Sequence, residues 1–425
     1  MSRGKLIRES QSGVSRRTAL GGMLGAAAGG ICLNGFAPYG WTSPVTPPKK
    51  RLLVIVNSGG LSQLESWDPK PGTATGGPCQ AISTSVPGTQ VSDLLPHTSQ
   101  QIHHLTLLRS LDTKEDNHGP GRYLMLSGRR EGSGLVYPTL PCVASSFLTP
   151  ANHPLPGYFS IGGAGREAAF LGTRYDPVNI PGDKPLANLA RAANLSEVAE
   201  ARRQALRQRL NDRFTASQRG FTDTSAYSQS FVQAQQLMQH KTLFDLSLEP
   251  PQDVERYGKH RMGQRCLLAR RLLEQGATCV QVAHDGYDSH AENFNFHLDL
   301  LEQFDRPFAC LISDLAQRGI LQNTIVLALG EFGRTPNINH RFGRDHWSRA
   351  WSIAMAGPGI GAGRVFGKTN DQGTEVTEDP VNAADLYHTF LDLLDIDSTQ
   401  KYGIDGHEDI PIADPAGKVV EKLLV

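Results

Sequence analysis

The feature that most constrains the fold of this chain is an alternation of short apolar runs with segments of helical periodicity. The runs are rich in β-branched residues and end at glycine or polar residues, as buried strands do. Because strands separated by helices usually pair in parallel, the alternation predicts an α/β fold with a mainly parallel sheet covered on both faces. The predicted strands are 52–56, 105–108, 278–283, 324–329 and 352–356, and the predicted helices are 123–127, 262–275, 298–317 and 383–394.

A polar, charged region over about 185–259 interrupts this alternation. Within it, apolar residues recur near helical spacing, which predicts a helical insertion packed on one side of the sheet. The charged residues of the insertion are expected to form a solvated face without chemistry of their own. The apolar positions are Val198, Ala201, Leu206, Leu210 and Phe214.

Composition excludes several classes of protein. Apolar residues make up 39% of the chain, with 44 Gly and 26 Pro, which fits a loop-rich globular protein. Lys and Arg together number 42 and so do Asp and Glu, so no net charge attracts nucleic acid or an anionic membrane as the main partner. The six cysteines have no Cys-x-x-Cys spacing, which argues against a disulfide scaffold or a zinc knuckle.

The N-terminus predicts export. SRRTAL over residues 15–20 resembles the twin-arginine signal, and residues 21–37 form a weakly apolar, Gly/Ala-rich run. That run is too short and glycine-rich to predict a membrane span, so residues 1–45 are expected to be a signal and linker. The expected partner is the twin-arginine machinery, and the expected location is periplasmic or extracellular. The alternatives are a tether formed by an uncleaved signal and an ordinary N-terminal helix.

Three loops at predicted strand ends carry most of the residues suited to chemistry. In an α/β sheet, ligands bind at the carboxyl ends of the strands. Carboxylate and imidazole ligands without thiolates suit zinc, manganese, magnesium or calcium. The residues are Asn117, His118 and Arg122 in one loop, Asp285, Asp288, His290 and Asn293 in another, and Glu331, Arg334, His340, Asp345 and His346 in the third.

Gly119, Pro120 and Gly121, beside His118, lie at the predicted start of a helix. The N-terminus of a helix presents free N–H groups and partial positive charge, which suits an oxyanion of phosphate or sulfate. Arg122 could add a bidentate clamp. Arg334 has two readings, a contact to substrate or a structural pair with Glu331 or another carboxylate. Any single histidine is more often structural, but His290 and His346 lie beside acidic residues at strand ends.

Several ordered motifs together resemble one secreted bacterial family, domain of unknown function 1501. The motifs are SRRTAL, GGLSQLESWDPKP, NHGPGRYLMLSGRR, RYGKHRMGQRCLLARRLLEQGATCVQV, DSHAENF, GEFGRTP and GRDHW. The family is grouped with the alkaline phosphatase and sulfatase superfamily. The resemblance therefore implies a three-layer α/β/α sandwich, formed by a single domain over 46–425, and a metal-dependent hydrolytic ancestry.

Residue by residue, the resemblance is incomplete. The sulfatase segment Cys-x-Pro-Ser-Arg resembles residues 118–122, which puts His118 in the place of the nucleophile; histidine cannot become formylglycine. The late Asp-His ligand pair of the superfamily falls on Glu331 and Phe332, and phenylalanine cannot bind a metal. The acidic ligand after the first strand has no match at 57–58, where Glu65 or Asp68 could substitute. One ion is therefore expected rather than two.

The leading hypothesis is an exported metal-dependent hydrolase of phosphate or sulfate esters, acting on polysaccharides or their fragments. The competing hypothesis is a catalytically silent descendant that binds a glycan or a protein partner in the cell envelope. The predicted roles are metal binding by Asp288, His290, His346 and Glu331, catalysis by His118, Arg122 and Glu331, and substrate binding by Asn117, Arg334 and Asp345.

Overall fold

The structure is a computed structural model. It describes residues 49–425 except 133, 164, 166, 183–185, 187–188, 192–193, 218–224 and 404–408. The predicted export signal lies outside the described residues. No helix among the described residues combines the length and the apolar character that a bilayer crossing needs.

An eight-stranded sheet forms the centre of the described part of the chain, in the order β8-β2-β7-β6-β1-β5-β3-β4. All of its strands run in one direction except β7, which is antiparallel to both of its neighbours. The strands are β1 (Arg51–Ser58), β2 (Thr106–Leu111), β3 (Tyr158–Ile161), β4 (Val178–Ile180), β5 (Cys279–Asp285), β6 (Thr324–Leu329), β7 (Trp351–Ala356) and β8 (Arg364–Phe366).

Helices cover both faces of the sheet. The helices are α1 (His118–Ser127), α2 (Leu140–Leu148), α3 (Glu197–Ser217), α4 (Ser225–Gln239), α5 (Pro251–Tyr257), α6 (Arg261–Glu274), α7 (Asn293–Gln317) and α8 (Ala383–Leu393). Leu53 and Ile55 of β1 belong to one apolar cluster with α6 and α7. Leu52, Val54 and Val56 belong to a second cluster with α1, α2 and α8. Alternate residues of one strand thus enter opposite cores, which confirms the predicted three-layer arrangement.

The predicted helical insertion is present as α3, α4 and α5, between β4 and α6. The apolar residues that predicted a packed face on α3 are largely exposed. Val198, Leu206, Leu210 and Phe214 are 45–60% accessible, so on this helix the spacing did not mark a buried stripe. Charged residues dominate α3, and the few apolar side chains do not form a stripe wide enough to bury it.

Some elements were not predicted. β3 and β4 are only four and three residues long, and α2 begins with Leu140-Pro141, where proline suits the first helical turn. α7 begins at Asn293, earlier than predicted, after Glu292 in a left-handed conformation with φ 51°. Glycine is the residue usually found in that conformation, so a glutamate at this position does not predict a helix start.

Candidate metal centre

The candidate site lies at the carboxyl edge of the sheet. β1 pairs in parallel with β5 and β6, so the ends of these three strands come together. The loop after β5 carries Asp288 and His290, and Glu331 follows β6. His346 lies in a short antiparallel ribbon in which it pairs with Arg334. The strand-end rule therefore brings together groups from segments distant in the sequence.

The carboxylate of Asp288 is the centre of this group. Its Oδ2 is 3.3 Å from Nε2 of His118. Its Oδ1 is 3.1 Å from Nε2 of His290 and 3.2 Å from Nε2 of His346. The Nε2 atoms of His290 and His346 are themselves only 3.0 Å apart. Three imidazole nitrogens thus converge on one carboxylate.

Each of these imidazoles is held through Nδ1 by an oxygen that accepts a hydrogen bond. Carbonyl and ionised carboxylate oxygens do not donate, so Nδ1 carries the proton in each ring. When such a ring is neutral, its Nε2 carries a lone pair, and that lone pair is directed at the centre. The Nδ1 contacts are His118 to Glu331 Oε1 at 2.7 Å, His290 to Asp345 Oδ1 at 2.6 Å, and His346 to the carbonyl of Asp116 at 2.5 Å.

The electrostatics favour a neutral His346 beside an ionised Asp288. Burial alone would raise the pKa of Asp288, but the hydrogen bond and charge of Arg334 hold that pKa at about 2. Burial lowers the pKa of His346, and the charge of Arg334 lowers it further. The pKa of Asp345 is lowered chiefly by its hydrogen bond with His290. At neutral pH the centre therefore offers Asp288 as an anion and His346 as a neutral ligand.

This donor set fits a divalent metal ion. His118, Asp288 and His346 each offer a ligand atom, and these atoms lie within 4.8 Å of one another. His290 adds a third imidazole nitrogen within 3.2 Å of two of these ligands. Imidazole with one carboxylate suits zinc and similar transition metals, whereas magnesium and calcium prefer oxygen ligands alone.

Arg334 lies beneath the centre rather than at its surface. Its side chain is fully buried, and Nη2 donates to Asp288 Oδ1 at 2.6 Å and to the carbonyl of Gly59. Nε donates to the carbonyl of Gly60 at 3.1 Å, and Nη1 to that of Arg344 at 3.0 Å. These contacts match the structural reading of Arg334, the pair with a carboxylate, and leave no nitrogen of the guanidinium directed to solvent.

Glu331 contacts His118 rather than the centre. Its Oε1 accepts from His118 Nδ1 and, at 2.8 Å, from the backbone N–H of Gly59. The side chain is almost wholly buried. This position lets Glu331 orient the ring of His118, which is the usual task of a carboxylate that contacts a metal-binding histidine from behind.

Phe332 forms an apolar wall of the centre. Its ring is buried and stacks on the ring of His346, with centroids 4.3 Å apart and an interplanar angle of 29°. The centroid of the His118 ring is 5.0 Å away on a tilted plane. Phe332 therefore packs two of the imidazoles in place and excludes water from behind them.

Other predicted residues lie outside the group. Arg122 donates to Glu167 Oε1 at 3.0 Å, and Glu167 also accepts from Tyr158 at 2.9 Å. Asn117 is the exposed residue before α1, and its amide donates to Glu115 at 2.8 Å. Asp345 reaches the centre only through His290.

The two proposed substitutes for the missing acidic ligand have other partners. Glu65 is fully buried and pairs with the equally buried Arg344, whose Nη2 is 2.8 Å from Oε1. Asp68 pairs with Lys70 at 3.0 Å and with Arg109 at 3.3 Å. Neither carboxylate is placed to serve the centre, because both are used to neutralise arginine or lysine elsewhere.

Sequence reasoning missed the backbone groups that fix the site. The carbonyl of Asp116 and the N–H of Gly59 hold His346 and Glu331, and a backbone group carries no signature in the sequence. The side chain of Asn339 was also missed. It donates to the carbonyl of His290 at 3.0 Å and contacts Asp345 Oδ1 at 3.3 Å. The sequence NxNHRFGRDH around Asn339 offered a weak signal, since asparagine and glycine mark turns.

Among solved structures, this chain is similar to sulfatases and a related hydrolase. The PsFucS1 sulfatase from Pseudoalteromonas sp. is 13% identical with a TM-score of 0.41, covering 89% of this chain and 72% of that one. A putative sulfatase from Bacteroides thetaiotaomicron is 11% identical with a TM-score of 0.38, covering 88% and 74%. The phosphonate monoester hydrolase SpPMH from Silicibacter pomeroyi is 13% identical with a TM-score of 0.39, covering 88% and 76%. These similarities are too weak to carry a conclusion about activity.

No curated protein matches the sequence. The family model described as "Protein of unknown function (DUF1501)" matches residues 49–424, which is nearly the whole described chain and includes every residue of the candidate centre. The chain therefore belongs to the DUF1501 family.

Proposed function

We propose that this protein is an exported, metal-dependent hydrolase of phosphate or sulfate esters, with one divalent ion at the centre around Asp288. The observation that carries the proposal is the fixed orientation of three imidazoles. Each has its Nδ1 committed to an oxygen, so each directs its Nε2 at the same carboxylate. Lone pairs and an anion repel one another unless protons or a cation lie between them.

Zinc is the ion that this donor set supports best among those expected from the sequence. His118, Asp288 and His346 would hold it, with His290 as the fourth ligand. Manganese is the next choice, and magnesium and calcium are less suited to a site with three nitrogen donors. When bound, the ion would polarise an oxygen of the ester.

The remaining residues would orient this centre. Glu331 and Asp345 fix the rings of His118 and His290, and the carbonyl of Asp116 fixes that of His346. Arg334 keeps Asp288 ionised. Such supporting contacts commonly change metal affinity or activity by roughly 10- to 100-fold when they are removed.

Two features support an ester with an oxyanion as substrate. His118 is the first residue of α1, a ten-residue helix, so the positive end of the helix dipole lies beside the centre. Asp288 and Asp345 are both about half exposed, so ligands can approach from solvent. Export is proposed from the N-terminal motif, and it would give the enzyme access to polysaccharide esters outside the cytoplasm.

A second candidate is a metal-stabilised binding protein of the cell envelope without catalysis. The contact that favours it is Arg122 to Glu167, because the arginine expected to clamp an oxyanion is committed to a carboxylate. The presence of Phe332 where the superfamily resemblance places a metal ligand also favours it. Turnover separates the two candidates, since both bind a metal.

The test begins with elemental analysis of protein purified folded from its native host. We expect about one zinc per chain in wild type and in His97→Ala, an exposed control histidine, and substoichiometric zinc in His118→Ala and His346→Ala. Aryl phosphate and aryl sulfate assays of the same samples then test catalysis. Zinc without turnover would favour the binding protein, and absence of any stoichiometric metal would overturn both candidates.

A further inference from the structure

A second feature of the site is the rim loop, residues 337–343, which lies directly over His290. Three backbone hydrogen bonds join the rim loop and the next residue, Arg344, to the segment around the start of α7. These bonds run from Glu292 N to Arg341 O at 3.1 Å, from Asn293 N to Phe342 O at 3.0 Å, and from Arg344 N to Ser289 O at 3.0 Å. The loop is therefore part of the wall of the centre.

Asn339 fixes the conformation of the rim loop from inside. Its Oδ1 accepts from the N–H of Arg341 at 2.9 Å and from that of Gly343 at 3.0 Å. Its Nδ2 donates to the carbonyl of His290 at 3.0 Å. Gly343 lies so close to the backbone of His290 that a Cβ there would be 2.1 Å from its carbonyl carbon. The loop is thus held at a fixed distance from a residue of the metal centre.

This anchoring holds the exposed Phe342 in a strained backbone conformation. Its φ is 55°, in the left-handed region that bulky residues avoid, and its side chain is 66% exposed. The left-handed conformation is costly for a phenylalanine, and backbone outliers of this kind concentrate where a ligand is bound. An asparagine or glycine would fill the same backbone position with less strain.

A cation without an ion pair precedes Phe342 in the rim loop. Arg341 is exposed, and it forms no salt bridge with any residue that the structure describes. An exposed aromatic ring and an exposed guanidinium on consecutive residues of an anchored loop can offer an apolar surface and a bidentate anion donor to one ligand. One class of ligand that presents both complements is a sugar ring with an apolar C–H face and a sulfate, phosphate or carboxylate substituent.

We infer that Phe342 and Arg341 form a subsite for an anionic sugar unit of a polysaccharide bound at the metal centre. The inference rests on the proposed function, because it places the neighbouring sugar of the same ester substrate on the rim. A protein partner fits the surface less well. A stable protein interface buries about 800 Å² on each side, several times the area that one phenylalanine side chain provides.

The experiment measures binding of a heparin-derived hexasaccharide and of its desulfated counterpart to the full chain by calorimetry at low salt. In wild type we expect the sulfated ligand to bind more tightly. Phe342→Gly should weaken binding of both ligands roughly five- to tenfold, and Arg341→Gln should reduce the preference for the sulfated ligand to within about twofold. Phe147→Ala and Arg209→Gln, exposed residues of α2 and α3, serve as matched controls and should bind as wild type.

Stability measurements separate a binding role from a structural one. Phe342→Gly removes the left-handed strain along with the ring, so its unfolding temperature should rise while its affinity falls. An unchanged affinity in both rim variants would overturn the inference. So would self-association of wild type, seen by sedimentation, that Phe342→Gly abolishes, since the rim would then be a protein interface.

Zinc content distinguishes failure of this inference from failure of the proposed function. Both rim variants should retain the zinc of wild type. Zinc at the centre without sugar binding at the rim would refute the subsite alone. Sugar binding that depends on Phe342 in a protein with no metal would refute the proposed function. The rim would then bind sugar independently of any metal-dependent hydrolysis.

Discussion

At the scale of single residues, the two oxygens of Asp288 have different partners. Oδ1 accepts from Arg334 and faces His290 and His346, whereas Oδ2 faces His118. Arg334 is completely buried, and this carboxylate is its ion-pair partner. The arginine therefore serves both the centre and the turn at Gly59-Gly60, whose carbonyls it also binds. One side chain, that of Arg334, thus contributes both to the candidate site and to the stability of the fold.

Replacing Arg334 with methionine should consequently destabilise the protein. The change leaves the carbonyls of Gly59 and Gly60 without this donor and removes the ion-pair partner of Asp288. Because Asp288 is half exposed and stays hydrated, the lost hydrogen bonds dominate, and we expect a cost of about 1–3 kcal/mol in the free energy of unfolding. Urea unfolding at neutral pH measures this loss. Arg349→Met, at an exposed arginine, is the matched control and should change stability by less than about 0.5 kcal/mol.

A loss of less than about 1 kcal/mol in Arg334→Met would show that the contacts of Arg334 are weak. Arg334→Lys refines the test. Lysine keeps the charge but cannot reproduce a guanidinium fork with four separate acceptors, so we expect an intermediate stability and weakened zinc binding. A lysine variant as stable as wild type would indicate that charge alone is required.

At the scale of elements, the sequence predicted the strands that are buried on both faces. The runs at β1 and β6 are continuous and apolar because each residue enters one of two cores. β3 and β4 escaped prediction because short segments carry little periodicity, and nothing local marks β7 as antiparallel. Strand direction depends on the path of the connections, which is a property of the whole sheet.

In the candidate site, too, some features follow from local sequence patterns and others depend on the folded structure. The strand-end rule was sufficient to nominate His118, Asp288, His290 and His346, because parallel strands must bring their ends together. It could not assign Arg122, whose side chain turns to Glu167, a residue in a distant loop. Nor could it tell whether Glu331 supports His118 or binds a metal itself. That distinction depends on where the carboxylate points, here to Nδ1 of His118 and to the backbone N–H of Gly59.

β5 also contains a titratable group that should make stability depend on pH. His284 is buried, its Nδ1 contacts the hydroxyl of Tyr287 at 2.8 Å, and its ring stacks on Phe304. Burial, with the charges of Arg265 and His260, lowers the pKa of His284 to about 3. The unfolded chain, with an ordinary pKa near 6.5, therefore binds a proton at pH values where the folded protein does not.

This difference in pKa sets both the sign and the size of the pH dependence that His284 contributes to the free energy of unfolding. Above about pH 6.5 both states are neutral at His284 and the group contributes nothing, and as the pH falls towards 3 the unfolded state is favoured. Between pH 7 and pH 4 we expect a loss of roughly 3 kcal/mol from this residue, measured by urea unfolding. His284→Gln should show a pH-dependent loss smaller by that amount, while His97→Gln, at an exposed position, should behave as wild type. Equal losses in wild type and His284→Gln would contradict the assignment.

At the scale of the whole molecule, the proposed metal centre links segments that the unfolded chain cannot hold together. His118 begins α1, Asp288 follows β5, and His346 lies beyond β6 in the ribbon. A ligand that binds the folded state alone stabilises it by an amount that grows with the logarithm of its concentration. Zinc should therefore act on the unfolding of the entire sheet.

We expect zinc at about 100 times its dissociation constant to stabilise the folded state by about 2.7 kcal/mol, seen as a rise of a few degrees in unfolding temperature. A chelator should reverse the rise, and magnesium at the same concentration should produce much less of it. His346→Ala should lose the effect, whereas His97→Ala should keep it. That control is needed because an unfolded chain with 14 histidines also binds zinc weakly.

The pH dependence of this stabilisation tests whether the imidazoles are the ligands. Each ring must be neutral to bind, so protons compete with zinc as the pH falls. Because burial lowers the pKa of His346, this ligand stays neutral below the ordinary histidine range. Asp288, with its pKa at about 2, remains ionised throughout. The zinc-induced rise should therefore persist somewhat below pH 6.5 and vanish on further acidification; a rise independent of pH down to about 4 would exclude histidine ligands.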